Sequence, residues 1–236
     1  MMAPLHLAGE RLMLCPSGTV WWPGRRTLIV ADLHLEKGSH FAARGRMVPP
    51  YDTRETLERL HQAIRRHSAA RVLVLGDGLH DGAAFARMAE ADRAQLGRVL
   101  GRVETIWIAG NHDPAPQAGL PGTFVPELVE DGLHFRHIGG TAALPRFQAE
   151  LSGHFHPKAT LPTRAGGVTR PCFLATAQRL LLPSFGAYTG GLDVLDPALG
   201  AVARGARRVF LLGEARLHSV PWEALRRPFA ASCEQA

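Results

Sequence analysis

The amino-acid sequence predicts an α/β fold, and three observations carry that expectation. Residues 27–31, 72–75 and 105–109 are short apolar runs closed by a carboxylate or a glycine, a pattern that suits interior strands, although periodicity alone does not separate them from buried helix segments. Between the runs lie two stretches with apolar residues at helical spacing, so the order reads β-α-β-α-β, a parallel layer with crossover helices. Past residue 131 the pattern changes to short strand candidates separated by turns.

Taken in order, residues 5–22 read as strands joined by a turn at Pro16-Ser17-Gly18, with Trp21 and Trp22 as edge packing, before a break at Pro23-Gly24. The strand ending at Ala31 presents Asp32 and His34, which point to one side of an extended chain. Residues 36–50 form a polar loop with Lys37, Arg44 and Arg46, placed for a substrate loop or for plain surface. Asp52 fits a helix cap with Glu55 in the capping-box position, and Leu57, Leu60 and Ile64 give that helix its sheet-facing side. Arg65 and Arg66 close it where cations complement the helix dipole. After the strand at 72–75, residues 83–100 read as one helix with Phe85, Met88, Leu96, Val99 and Leu100 as core candidates. Residues 121–131 are turn-rich. Strand candidates then follow at 133–138, 149–152, 172–174, 179–182, 192–195 and 209–212, with a glycine-rich turn at 184–191. One domain over residues 1–236 is expected, with a tail after about residue 221, including Arg226-Arg227-Pro228, that is partly disordered.

The composition, 46% hydrophobic and 20% charged, is that of a soluble globular protein, and no apolar stretch is long enough to span a bilayer. Residues 1–9 lack the basic start and apolar middle of a signal peptide, so a cytoplasmic location is expected. Cys15, Cys172 and Cys233 are odd in number and far apart, which excludes a disulfide framework and zinc-ribbon spacing and agrees with a reducing compartment. Net charge is +6, and of 27 basic residues only Lys37 and Lys158 are lysine. Arginine forks match phosphate bidentately, so the balance favours a polyanionic partner; a compositional bias of the source genome would give the same excess.

The chemistry sits at the strand ends. Asp32-Leu33-His34, Gly76-Asp77, Gly110-Asn111-His112-Asp113 and Gly153-His154-Phe155-His156 each follow an apolar run, and ligands in such sheets gather at the carboxyl ends of strands. Carboxylate, imidazole and amide oxygen without thiolate suit Mn²⁺, Fe or Zn²⁺ better than Mg²⁺. Asp32, His34, Asp77, Asn111, His154, His156 and one histidine of the pair His134 and His137 are too many ligands for one ion. Two ions sharing a carboxylate account for them, and paired metals clamp the attacking and leaving oxygens of a phosphoryl transfer.

These four motifs, in this order, resemble the calcineurin-like metallophosphoesterase superfamily. Longer identities, Asp32-Leu33-His34-Leu35-Glu36-Lys37-Gly38, Pro49-Pro50-Tyr51-Asp52-Thr53-Arg54-Glu55, Gly153-His154-Phe155-His156-Pro157-Lys158-Ala159 and Phe185-Gly186-Ala187-Tyr188-Thr189-Gly190-Gly191-Leu192, resemble its bacterial ligase-associated DNA damage response branch, a phosphodiesterase and endonuclease encoded near a DNA ligase and a helicase. The resemblance implies a four-layer α/β/β/α sandwich with a dinuclear metal site, two divalent ions with Mn first and Fe or Zn as alternatives, and DNA as substrate. It implies that Asp32, His34 and His156 hold one ion and Asn111, His137 and His154 the other, with Asp77 bridging. His137 is preferred to His134 because the family pattern puts this ligand at a strand end before a turn, as at Ile138-Gly139-Gly140. His112 would protonate the leaving oxygen or stabilise the transition state, with a metal-activated water as nucleophile and no covalent enzyme intermediate. Asp113 would orient a neighbour.

Many superfamily phosphatases place an Asp three residues after the bridging Asp to support the catalytic His. Here that position is His80, with Asp81 next, and both join His112 as catalytic candidates. A His there resembles the superfamily's double-strand-break-repair nucleases and favours a phosphodiester substrate; a helix-start or core histidine is the plain alternative. Two other readings compete: hydrolysis of small nucleotides or cyclic dinucleotides, and a non-catalytic metal-bound scaffold in a repair complex.

Overall fold

The computed structural model describes residues 1–163 and 166–225. Strands β1 (Ala3–Leu7), β2 (Glu10–Leu14), β3 (Val20–Trp22) and β4 (Thr27–Val30) run antiparallel in sequence order. From β4 onward the direction is kept: after helices α1 (Lys37–Ala42) and α2 (Asp52–His67) comes β5 (Arg71–Val74), and after α3 (Ala84–Arg87) and α4 (Glu90–Leu100) come β6 (Glu104–Ile108) and β7 (Thr123–Val125), all parallel to β4. Val30 pairs with Val74 and Val74 with Trp107, so β4, β5 and β6 end level. That register brings Asp32, Asp77 and Asn111 to one edge of the sheet.

The second sheet contains β8 (Leu128–Glu130), β9 (Leu133–Arg136), β10 (Ala149–Ser152), β11 (Lys158–Thr163), β12 (Gly166–Ala175), β13 (Arg179–Leu181), β14 (Arg208–Leu212) and β15 (Leu217–Pro221). Its order is β15-β14-β12-β13-β10-β9-β8, with β11 paired to β12. β10 lies in the middle and is parallel to both β9 and β13, so Ser152 ends opposite Arg136 and Leu181 and the chain leaves toward the turn after β9.

Strands buried on both faces explain the near-continuous apolar runs. Leu28, Val30, Val72, Val74 and Trp107 pack against Leu57, Leu60 and Ile64 of α2 and Leu96 and Val99 of α4. On the opposite face Ile29, Leu73, Ile106 and Ile108 meet Phe135, Leu151, Phe173 and Leu180 of the second sheet. The outer face of that sheet, with Cys172, Leu174, Leu181, Val209 and Leu211, is covered by Leu199, Val202, Ala203 and Leu225. The architecture is therefore a four-layer α/β/β/α sandwich whose fourth layer is thin, made of a 3-10 turn at Pro197–Leu199, nearby turns and the short helix α5 (Trp222–Leu225).

Several local expectations change. Residues 36–50 are not all loop, since α1 occupies their first half. Asp52 does not cap α2; Tyr51 stands at the cap, and the Asp52 carboxylate accepts the Gly38 N–H at 2.9 Å, tying the start of α1 to α2. Residues 83–100 are two helices, because Met88 and Ala89 take extended backbone angles and Met88 is driven into the core. Residues 192–195 form no strand: the Asp193 and Asp196 side chains accept the Leu195 and Ala198 N–H groups and fold turns. Trp22 is a core residue whose indole donates to Glu10 at 2.8 Å, not edge packing. β11 and β15 have no counterpart among the expected strands; Pro162 and Pro221 disguise them. Cys15 and Cys172 are buried free thiols, pushed up in pKa by that burial. Cys233 and the Arg226-Arg227-Pro228 tail lie outside the described residues.

Candidate metal centre

The strand-end residues share an uncommon backbone. Asp32, His34, Asp77, His154 and His156 all have positive φ, between 45° and 72°, a region that costs a non-glycine residue on the order of 1–3 kcal/mol. Cross-bracing between the strand ends holds it. Asp32 N donates to Gly76 O at 3.2 Å, His34 N to Asp77 O at 2.9 Å, and His154 N to both Asp32 carboxylate oxygens at 3.1 Å. Glycines let the segments approach: a Cβ on Gly76 would collide with His137, and one on Gly110 with the Asp77 backbone and carboxylate.

Three groups of donors result among the described residues; beside a cluster of His34, His80 and His112, two are built on the carboxylates. In the first, His156 Nε2 lies 3.3 Å from Asp32 Oδ1 and 3.3 Å from His34 Nε2. In the second, His137 Nε2 lies 2.8 Å from Asn111 Oδ1, 3.2 Å from His154 Nδ1 and 3.3 Å from Asp77 Oδ2. Asp77 Oδ2 is also 3.7 Å from His34 Nε2, so one oxygen stands between both groups. The ligand atoms of Asp32, His34 and His156 lie within 4.8 Å of one another, as do those of Asp77, His137 and His154. These groups could each hold a metal ion.

The tautomers sharpen the fit. His137 Nδ1 donates to the Leu75 carbonyl at 3.0 Å, which leaves a lone pair on Nε2. Nε2 faces an amide oxygen, a carboxylate oxygen and a second imidazole nitrogen, a set of donor atoms that a shared cation would satisfy. His34 is braced alike: its Nδ1 meets His80 Nδ1 at 3.2 Å and its Nε2 faces the site. Burial, opposed by the Asp77 charge, holds His34 neutral with a pKa lowered to about 2. Burial also works to lower His137, yet its bond to Asp77 and the charges of Asp32 and Asp77 raise it overall, the mark of a negative well. Burial likewise opposes ionisation of Asp77, but His137, the His112 N–H and His34 bring it down to about 2. Donor types, tautomers and potential all fit divalent cations bound by nitrogen and oxygen.

The other candidates surround this core. His112 is exposed, its backbone N–H bonds Asp77 Oδ1 at 2.9 Å, and its Nδ1 bonds the His80 carbonyl at 2.9 Å. His80 is buried, stacks on His112 with ring centroids 4.9 Å apart, and has a pKa lowered to about 4 by burial and the neighbouring His40 and His112. The support expected from a carboxylate at this position comes from the His80 carbonyl instead. Asp81 points elsewhere: Arg87 grips it with both Nη atoms at 2.9 and 2.7 Å, and His40 Nδ1 lies 2.6 Å away. His134 bonds Gln148 at 2.8 Å and is not among the metal-competent groups of the described residues. Asp113 accepts the N–H groups of Asp77, Gly110 and Leu79 at 3.0–3.1 Å, fixing the loop that carries Asp77; burial raises its carboxyl to about 6.

Two supporting residues carry no motif that marks them. His40, T-stacked on His80 at 4.5 Å, sits in a stretch that reads as loop. Glu150 reads as part of a strand; buried, it accepts the Gly140 N–H with both oxygens and fixes the turn behind His137.

The calcineurin-like phosphoesterase profile matches residues 25–175, which include every donor named above. The chain belongs to the calcineurin-like phosphoesterase family. It is a metal-dependent phosphoesterase by that membership and by its donor groups. Among solved structures it is similar to the nuclease MPE of Pseudomonas putida, with 28% identity, a TM-score of 0.72, and coverage of 93% of this chain and 100% of that one. A phosphoesterase from E. coli, Yfce, aligns at 14% identity and a TM-score of 0.41 over 83% of this chain and 98% of that one. No curated protein sequence matches. No helix among the described residues is long and apolar enough to cross a membrane.

Proposed function

We propose that this phosphoesterase is a dinuclear-metal-dependent phosphodiesterase and endonuclease that acts on DNA in repair. The observation that carries the reading is Asp77 Oδ2, placed between a group of Asp32, His34 and His156 and a group of Asn111, His137 and His154. Asp77 would bridge the two ions and the two groups would complete their shells. Mn²⁺ fits the mixed imidazole, carboxylate and amide set, as do Fe and Zn²⁺. Bound there, the ions would supply Lewis-acid activation of water and neutralise charge on the phosphate.

The remaining work falls to this chain's own groups. His112 in its protonated form keeps its Nδ1 proton on the His80 carbonyl and offers the other, at Nε2, to a leaving oxygen. His80 positions both His112 and His34, through its carbonyl and its ring. Asp81 acts one step further out, holding His40 against His80. Asn111 and His112 stand exposed at the rim, where a long strand has access. The arginine excess supports a polyanionic substrate, single-stranded or damaged DNA, and the similarity to the P. putida nuclease points the same way. The branch motifs suggest a DNA ligase and a helicase as partners and a cytoplasmic location.

The test is Mn²⁺-dependent cleavage of an end-labelled single-stranded oligonucleotide by the wild type, Asp77→Ala and His112→Ala. Cleavage by the wild type alone is expected. A wild type that hydrolyses an aryl phosphodiester but leaves DNA intact would sink the DNA reading in favour of small nucleotides. Inertness toward both, with each metal supplied, would favour a scaffold.

A further inference from the structure

We infer a phosphate-binding subsite in the pocket between α2 and the β2–β3 turn, linked to the metal centre through Phe185. The inference rests on the DNA reading above and assigns the pocket to a backbone phosphate flanking the one that is cut. The cavity holds about 100 Å³ and is lined by Ser17, Arg59, Gln62, Ala63, Arg66 and His67. That is room for a tetrahedral oxyanion.

Burial sets Arg59 apart: among the described residues, the other arginines without an ion pair or hydrogen bond, Arg66 included, are exposed. Arg25, Arg71, Arg87, Arg136 and Arg179 each sit on a carboxylate. Arg59 and Arg66 have no carboxylate and no hydrogen-bond acceptor among the described residues. Seven residues apart on α2, they stand two turns from one another on one face. Arg59 is half-buried, with its guanidinium carbon 4.6 Å above the Phe185 ring, so it is both desolvated and held in place. Its burial lowers its pKa against the pull of Glu55. A fixed, partly dehydrated guanidinium whose carboxylate neighbour, Glu55 one turn away, is exposed and makes no ion pair with it gains from an anion that joins it. The neighbouring groups suit an oxyanion: a Ser17 hydroxyl, the Gln62 amide, and His67, which is stacked on Trp21 at 5.0 Å.

The location ties the pocket to the reaction. Val20 of β3 pairs with Ile29, so the β2–β3 turn stands at the same end of the sheet as Asp32. The segment from Pro183 to Gly186 links the two: a Cβ on Gly18 would stand 3.6 Å from Pro183. Phe185 N donates to Ala31 O at 2.9 Å and Gly186 N to Asp32 O at 3.1 Å. The ring that carries Arg59 therefore belongs to the segment that braces the ligand strand. A nucleic-acid strand leaving the metal centre along α2 would reach Arg59 first; Arg66 stands two turns further on, toward the helix end beside Arg26. Arginine forks bind such phosphates bidentately and without regard to base.

The experiment measures KM for cleavage of a single-stranded oligonucleotide by the Mn²⁺-loaded enzyme as a function of salt. It compares wild type, Arg59→Gln, Arg66→Gln, Arg59→Lys and, as a charge-matched control on the exposed face of α4, Arg98→Gln. Arg59→Gln is expected to raise KM roughly tenfold at low salt, the loss of one charge-assisted contact. Each Gln variant should also flatten the log KM against log salt slope by about 0.7 to 1. Arg59→Lys should recover part of the affinity, and Arg98→Gln should behave as wild type. Inorganic phosphate is titrated in parallel by thermal shift, to separate a free anion from a strand. If the Gln variants match the control while the wild type cleaves, the subsite is refuted and the DNA reading stands. If phosphate stabilises the wild type through Arg59 but KM for the strand is unmoved, the pocket takes a free anion and the proposal fails. A wild type that neither cuts nor binds the strand removes both readings.

Discussion

Replacing Gly76 by alanine isolates the packing that sets His137. Gly76 has a φ of +74°, and an added Cβ would lie 2.5 Å from His137 Cβ and nearer still to its ring. Ordinary contact begins at 3.4 Å, so His137 must retreat by 3.4 minus 2.5, about 1 Å. It has no free direction, since its Nδ1 is held by Leu75 O and the residue is 4% exposed. A misplacement of about 1 Å at a reacting centre can cost ~10²-fold in rate. The left-handed backbone adds about 1–2 kcal/mol and overpacking about 1–3 kcal/mol of lost stability. Gly76→Ala should therefore remain folded but lose roughly 10²-fold in kcat on an aryl phosphodiester, with weakened Mn²⁺ binding. Gly82→Ala, where nothing lies within 4 Å and φ is ordinary, serves as the control. A Gly76→Ala enzyme with wild-type kcat and Mn²⁺ affinity would refute the reasoning that this contact places His137.

Three further outcomes follow from the same structure. Glu150 is 1% exposed and lies 3.1 Å from Arg179 and 3.5 Å from Arg136; Glu150→Gln leaves Arg179 uncompensated and should cost about 3 kcal/mol in urea unfolding, since Arg136 keeps Glu127 at 2.9 Å. A loss below about 1 kcal/mol would count against a buried ion pair there. Gly97 sits inside α4 with nothing within 4 Å of where an added methyl would stand, so Gly97→Ala should raise stability by about 0.5–1 kcal/mol, read as a higher melting temperature. Asp81 is held well below the usual carboxylate range by the Arg87 fork, with His40 assisting against burial. Its contribution is thus complete above the unfolded value of 3.8 and lost as pH falls through the lower folded value. The stability gap between wild type and Asp81→Asn should hold from neutral pH down to about 4 and close below it; a gap that closes near neutrality would contradict the assignment.

The parallel core was legible because β4, β5 and β6 are buried on both faces, which writes an unbroken apolar run into each. The strand ends were legible for a related reason: polar residues at the mouth of such runs have few structural uses. What the sequence hid was set by tertiary contacts. Asp52 obeys local capping rules, yet its carboxylate is taken by Gly38, fourteen residues away, and no local pattern shows that competition. Residues 83–100 carry helical spacing throughout, but burying Met88 and pairing Arg87 with Asp81 break the helix in the middle. In the site, Asp81 had the residue type of a supporting carboxylate and is turned away by Arg87, while the His80 carbonyl, invisible to any side-chain motif, holds His112. Positive φ at five candidate ligands could not be read at all, because aspartate and histidine give no sign of it.

Whether Asp77 joins two metal groups is the central question, and metal counting tests it most directly. Mn²⁺ titration with electron paramagnetic resonance should show two ions per chain with an exchange-coupled signal, and Asp77→Ala should lose the coupling. One isolated Mn²⁺ per chain, or none, would contradict it.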